Sequence, residues 1–400
     1  MKSSYQKIAA GLMGIAGIYG VYRAVHLAWV CDDAFISFRY AWNLARGRGL
    51  VFNAGEYVEG FTNLLWTLLL TPFRLPSVHM DLVAVSQTLG VAAYIALLGG
   101  YALLGRGLLG RALLRPEKSS WLSWPFSFLA LAAHHHLHIF ATSGLETMLF
   151  TALVTTGVLL QALRPRSAAG FGLLALACLT RPDGLLVYGI SALYCALYDP
   201  SPRTSPIAWI IAQLRRHAFF GVAVGASFVF RWFYYGDLLP NTFYAKSAYD
   251  PYPAQGVIYT GLYFAAYWVL AFCLFTAIAA ALARLLLATR GASSTEENNG
   301  RENALPFLIA IACAWLAYVL WVGGDFMFGR FIVPVTPLLF FAGELALRDL
   351  IGRRADDTAV HGSTDARTWL LTAALLLAAT LLRYDPYAGQ PVPFFFNFRD

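Results

Sequence analysis

The chain is poor in charge. Its 400 residues carry 22 acidic and 29 basic side chains, 13% in all, where a soluble domain normally carries about a quarter. It has only five cysteines, Cys31, Cys178, Cys195, Cys273 and Cys313, with no CxxC spacing and mostly within apolar runs. That excludes a disulfide framework or a zinc ribbon and leaves small buried hydrophobes. No glycine loop of the kind that cradles nucleotide phosphates is present. The ten-residue alternation of a membrane β-barrel is missing too.

What is there in abundance is apolar. Hydrophobic residues make up 58% of the chain, and the mean hydropathy is +0.58. Many runs approach or exceed the roughly 20 residues that cross a bilayer, so the fold class is an all-α polytopic membrane protein. Eleven spans are read, at 8–30, 83–105, 120–140, 145–163, 168–180, 184–198, 218–235, 257–289, 304–322, 331–347 and 368–383. The net charge of +7 sits in short loops between them, where basic residues report topology rather than nucleic-acid binding. With a cytoplasmic N-terminus, 18 of the 29 basic residues fall on inner segments. That orients a multi-pass protein of the bacterial cytoplasmic membrane. The first span lacks a small-residue cleavage site, so it reads as retained.

Three stretches depart from simple spans. The pair 168–180 and 184–198 is too short for separate crossings, and its hinge "TRPDG" is built of turn formers. The run 61–76 reads as an outer-face amphipathic or re-entrant helix within a first outer loop over 31–82. Residues 291–303 read as a flexible polar inner loop. The whole, 1–400, reads as one transmembrane domain without a separate soluble domain.

The unusual polar clusters all fall on the outer side. They are Asp32, Asp33 and Arg39, the loop "GLVFNAGEYVEGFTN", "HHHLHIFATSGLET", "TRPDG", "YYGDLLPNTFYAKS" and "GGDFMFGR". Charges at membrane depth cost roughly 2.5–3.5 kcal/mol each and persist mainly where paired or used. Acids (Asp32, Asp33, Glu146, Asp183, Asp325), cations (Arg39, Arg181, Lys246, Arg330) and aromatics (Phe35, Tyr40, Trp66, Tyr234, Tyr235, Tyr244) form a consistent kit. Cations bind phosphate oxygens, rings offer flat surfaces for sugars or a polyprenyl tail, and a carboxylate takes a proton from a hydroxyl. A membrane enzyme moving a sugar from a polyprenyl phosphate to an alcohol needs all three.

Each candidate has a plainer rival. Asp32 and Asp33 end the first span; neighbours on a helix point about 100° apart, so one serves as base or metal ligand and the other orients it or caps the next helix. Arg39 either faces the same cleft or pairs with Asp33. Arg181 either meets a donor phosphate or pairs with Asp183. Lys246 either contacts phosphate or snorkels, Asp325 and Arg330 could form a loop salt bridge, and Glu146 could serve only a helix start. Asn241 and Tyr244 share the "NTFYAK" segment with Lys246. His134 and His138 have i, i+4 spacing, but without a third ligand the four histidines His134, His135, His136 and His138 read as interfacial filler. A divalent cation (Mg, Mn or Ca) on Asp32 or Asp33 is compatible with the residues and not required by them. A transporter or flippase of lipid-linked sugars, which would show inverted repeats and midplane polar groups, is the alternative.

The block "DDAFISFRYAWNLARGRGLVFNAGEYVEGFTNLLW" resembles the first outer loop of GT-C-fold membrane glycosyltransferases, and most closely the arabinofuranosyltransferase AftB group of the mycobacterial cell envelope. "TSGLETMLF", "LTRPDGLL", "GDLLPNTFYAKS" and "GGDFMFGRFIVPVTPLL" follow in the same order, so the resemblance covers most of 31–340. It implies a GT-C bundle, a polyprenyl-phosphate sugar donor used on the outer face, a cell-envelope glycan or lipid acceptor, and a catalytic acid at Asp32 or Asp33. In the actinobacterial members the donor is decaprenyl-phosphoryl arabinofuranose. Those members continue into a sizeable outer soluble domain, and here "PVPFFFNFRD" follows the last expected span.

Overall fold

The computed structural model describes residues 2–112, 125–198, 205–245, 250–289 and 304–357. Among these residues it is helical without strands. Among the described residues, five helices are long and apolar enough to cross a membrane: Lys7–His26, Leu82–Leu109, Ile207–Tyr235, Trp268–Leu286 and Ala304–Val322. This is a multi-pass α-helical membrane protein.

The chain divides into two units. A loop-bearing unit comprises Val21–Gly100 and Leu137–Pro251; a companion unit takes the described residues of Met1–Gly20, Tyr101–His136 and Tyr252–Asp400. Helices α1 (Lys2–His26) and α4 (Leu82–Ala112) each contribute to both.

The expected first outer loop is itself helical. It holds α2 (Ala34–Ala45), α3 (Leu64–Leu70) and a 3-10 turn, Thr71–Arg74, that ends the second of these. The amphipathic element expected over 61–76 is therefore short. The loop-bearing unit continues with α7 (Thr147–Leu163), α8 (Ala168–Thr180), α9 (Gly184–Tyr198), α10 (Pro206–Tyr235) and α11 (Asn241–Ala245). At 13 and 15 residues, α8 and α9 are only about 20 and 22 Å long at 1.5 Å per residue. Helix α8 starts where the Ser167 side chain accepts from the Gly170 N–H. It lies so close to α7 that a Cβ on Gly157 would meet Leu174 Cδ2 at 2.8 Å.

Two expected spans are broken. The run 120–140 becomes α5 (Phe126–Ala133) and α6 (His135–Ala141), separated by extended backbone at His134. The run 257–289 becomes α12 (Pro253–Ala266) and α13 (Trp268–Thr289), interrupted at Tyr267 with φ −126° and ψ 57°. In the companion unit these breaks meet. The His134 ring stacks on Tyr267 at 4.3 Å, His136 Nδ1 lies 2.5 Å from the Tyr267 hydroxyl, and His134 Nε2 lies 3.2 Å from the Tyr263 hydroxyl. Hydropathy reads straight through the break at Tyr267 because its flanks are equally apolar, while the histidines at 134–138 carry no helix-breaking residue to mark theirs; hydrogen-bonded partners are what stabilise a non-helical turn at such a place. The last two described helices are α14 (Ala304–Val322) and α15 (Thr336–Asp357). The expected span 368–383 and the inner loop 291–303 lie outside the described residues.

Candidate active site

Asp33 occupies the N-cap position of α2, and its side chain makes no capping hydrogen bond. Asp32, immediately before it, is exposed. Asp32 Oδ1 accepts from the Asp33 N–H at 2.9 Å and from the Cys31 thiol at 3.2 Å. Those two donors, the thiol first, hold the Asp32 carboxyl below its ordinary value of 3.8. Burial, reinforced by Asp32, pushes the Cys31 thiol up to about 12, so it stays protonated and remains a donor. The two acids are thus distinguished: Asp32 is engaged locally, and Asp33 begins the helix.

The segment 141–147 supports this corner. Cys31 N–H donates to Ser143 O at 2.9 Å, and the Trp66 indole donates to Gly144 O at 3.1 Å. Gly144 has φ +80°, and a Cβ there would meet Ala34 Cβ at 2.9 Å; glycine alone combines that backbone with that approach. The turn it makes delivers Glu146 to the start of α7.

From α2 a buried polar chain runs inward. Ser37, one helical turn beyond Asp33, exchanges hydrogen bonds with Asn63 at 3.0 and 3.1 Å. Asn63 Nδ2 donates to Glu146 Oε2 at 2.9 Å. Glu146 Oε1 lies 4.0 Å from Arg181 Nη1. Arg181 grips Asp183 through two bonds, Nε to Oδ1 at 3.1 Å and Nη2 to Oδ2 at 2.6 Å, and its guanidinium lies 5.2 Å from the Phe150 ring centroid. The three charged side chains are 5–7% exposed. The hinge between α8 and α9 therefore presents a fixed guanidinium flanked by two carboxylates.

A second node ties the loop to α10. Arg231 Nε lies 3.0 and 2.9 Å from the two oxygens of Glu59, and the Glu59 carbonyl accepts from the Asn241 N–H at 2.9 Å. Burial raises the Glu59 carboxyl above its ordinary 4.5, the Arg231 charge opposing the rise and offsetting only part of it. The Tyr234 hydroxyl accepts from Leu50 N–H at 2.9 Å, and the Tyr235 hydroxyl donates to Leu50 O at 2.6 Å. The Tyr40 hydroxyl bonds Val58 O and Gly60 N at 2.7 and 2.8 Å.

Of the sequence-derived candidates, Glu146 and Arg181 are brought together, and Asp33 shares a helix with the Ser37 that leads to them. Arg39 is exposed. It donates Nε to Phe52 O at 3.0 Å, with its guanidinium 5.9 Å from the Phe52 ring, so it fastens the loop. Asn241 joins the Glu59 node through its backbone, and Tyr244 is exposed beside Phe243. Asp325 and Arg330 belong to the companion unit, where they pair at 3.1 Å. Lys246 lies outside the described residues. Trp66 and Tyr40, read as open sugar surfaces, are each 1% exposed and act as fasteners. The histidines read as interfacial filler are mostly buried: His134, His136 and His138 are 0%, 8% and 1% exposed. The break at His134 also separates it from the helix that carries His138. Among the described residues no group of three or more His, Cys, Asp or Glu side chains is placed to hold a metal.

Sequence reasoning missed Arg231, Glu59, Ser37 and Asn63. Arg231 was findable, being a charge inside the apolar run of α10. Ser37 and Asn63 carry no such signal, since small polar residues suit any loop.

No family model matches the chain. Two curated proteins, both named terminal beta-(1->2)-arabinofuranosyltransferase, are similar to it. That of Corynebacterium glutamicum is 29% identical over 363 residues, covering 81% of this chain and 49% of the relative. That of Mycobacterium tuberculosis is 30% identical over 353 residues, covering 80% and 53%. The chain thus spans about half the length of the curated relatives it matches. Among solved structures, that of ArnT from Cupriavidus metallidurans bound to undecaprenyl phosphate matches with a TM-score of 0.54 and 15% identity, over 93% of this chain and 70% of that one. The fold is shared with that GT-C protein.

Proposed function

From its similarity to terminal arabinofuranosyltransferases over four fifths of its length, we propose that the chain is a membrane glycosyltransferase. It moves a sugar of the arabinofuranose class from a polyprenyl phosphate to a hydroxyl of a cell-envelope glycan or lipid, on the outer face of the cytoplasmic membrane. The acceptor oxygen attacks the anomeric carbon, the bond from that carbon to the phosphate oxygen breaks, and the acceptor proton passes to Asp32 or Asp33. Arg181, oriented by Asp183, and Lys246 stabilise the charge gathering on the departing phosphate. The donor carries its own leaving group, so the absence of a nucleotide loop in the sequence fits. The solved ArnT structure, bound to a polyprenyl phosphate, supports the donor class by fold.

The observation that supports the reading is the buried polar chain from Ser37, one turn beyond Asp33 on α2, through Asn63 and Glu146 to the Arg181 guanidinium in the hinge between α8 and α9. An in vitro transfer assay with a panel of polyprenyl-phosphate sugars tests it. Transfer from at least one furanosyl donor is the expected result; no transfer from any member overturns it.

A further inference from the structure

Asn63 is the hub of the buried chain, and all of its amide valences are used. Its Nδ2 serves Ser37 Oγ at 3.0 Å and Glu146 Oε2 at 2.9 Å. Its Oδ1 accepts from Ser37 Oγ at 3.1 Å and from Thr67 Oγ1 at 3.2 Å. It precedes α3, and its partners lie on α2, on α3 and at the start of α7. Asn63 is 7% exposed and Ser37 3%, so water does not substitute for these bonds. A buried amide whose donors and acceptor are all met in this way fixes the relative placement of the elements it joins.

We propose that Asn63 is a positioning residue: it holds the first turn of α2, and with it Asp33, at a set place relative to the Glu146–Arg181–Asp183 cluster. The inference rests on the reading of Asp33 and Arg181 as parts of one reaction centre. An amide suits the position where a carboxylate does not. It offers a donor to the Glu146 carboxylate and an acceptor to two hydroxyls, whereas aspartate at 63 would set two buried carboxylates against each other. Displacing a reacting group by about 1 Å costs on the order of 100-fold in rate. The loss falls on kcat, because Asn63 itself touches neither donor nor acceptor in this scheme.

The test uses the full chain in detergent or nanodiscs, with kcat and donor KM measured alongside the folded fraction for S37A, N63D and N63D/E146Q. S37A deletes one hydroxyl and severs only the α2 end. The expected result is a fall in kcat of about 10- to 100-fold in N63D and a smaller fall in S37A, with donor KM within about twofold. The double variant reverses donor and acceptor across the 2.9 Å contact and regains at least part of the kcat lost in N63D. Folded S37A and N63D with wild-type kcat overturn the proposal, as does a double variant no better than N63D. If N63D fails to fold, S37A and the double variant decide. A wild-type chain that transfers no sugar is a different outcome, since it overturns the proposed function itself.

Discussion

Arg231 and Glu59 meet side chain to side chain, 172 residues apart in sequence, with the guanidinium Nε 2.9 Å from the nearer carboxylate oxygen and the side chains 10% and 4% exposed. The pair fixes the segment between α2 and α3 to α10. Through the Glu59 carbonyl it also fixes the start of α11. Removing one partner strands a buried charge, which costs about 3–5 kcal/mol, while replacing both with apolar residues is often neutral. R231M alone therefore lowers stability by about that amount, and E59L/R231M recovers most of it. Thermal unfolding in detergent reads both, and equal losses in the single and double variants would contradict the pairing.

The acids at the mouth of α2 give the sharpest catalytic test. D32N and D33N keep the size of each side chain and leave the folded fraction unchanged, yet at least one lowers transfer by about 100- to 10,000-fold, the range for losing a general base. Wild-type turnover in both variants would remove the base from this loop.

The pH profile separates the two acids. Asp32 is held below 3.8 by the Cys31 thiol and the Asp33 N–H. A carboxyl depressed on folding contributes stability that is complete above its unfolded value and is lost as pH falls through the folded value. If Asp32 takes the proton, the acid limb of kcat/KM lies below 3.8, and C31A, which removes the thiol donor, moves that limb upward. A limb that does not move with C31A assigns the proton to Asp33.

Sidedness has its own measurement. With native cysteines replaced, a cysteine at Ala54 in the first outer loop reacts with a membrane-impermeant maleimide on intact cells. One at Arg164, in the turn between α7 and α8, reacts only after permeabilisation. Both positions are exposed. Labelling of both from the same side contradicts the inside-to-outside order read from the basic residues.

A good part of the architecture was legible before any coordinates. The bounds of α8, α9 and α14 coincide with the spans read from hydropathy, because proline, glycine and polar hinges punctuate those runs. The breaks at His134 and Tyr267 were not legible. At Tyr267 a helix is given up within apolar sequence, at His134 within a histidine cluster that reads as helical filler, and in both the compensation comes from side chains more than a hundred residues away. The aromatic inventory misled in the same way: Tyr40 and Trp66 look like free surfaces in a list and are buried fasteners in the fold.

Composition and run length were enough to determine that this is a multi-pass helical membrane protein, and its motifs, by resemblance, pointed to membrane arabinofuranosyltransferases. The first of these depends on local chemistry, namely the cost of placing charge in a bilayer. Which polar residues serve one another was decided only in three dimensions. Ser37, Asn63, Glu146, Arg181 and Asp183 come from four separate stretches, and apart from Arg181 and Asp183, two residues apart, none reports its partner by spacing. Each is tolerable when buried because the others satisfy its hydrogen bonds or charge, and that is a property of the packed unit rather than of any segment.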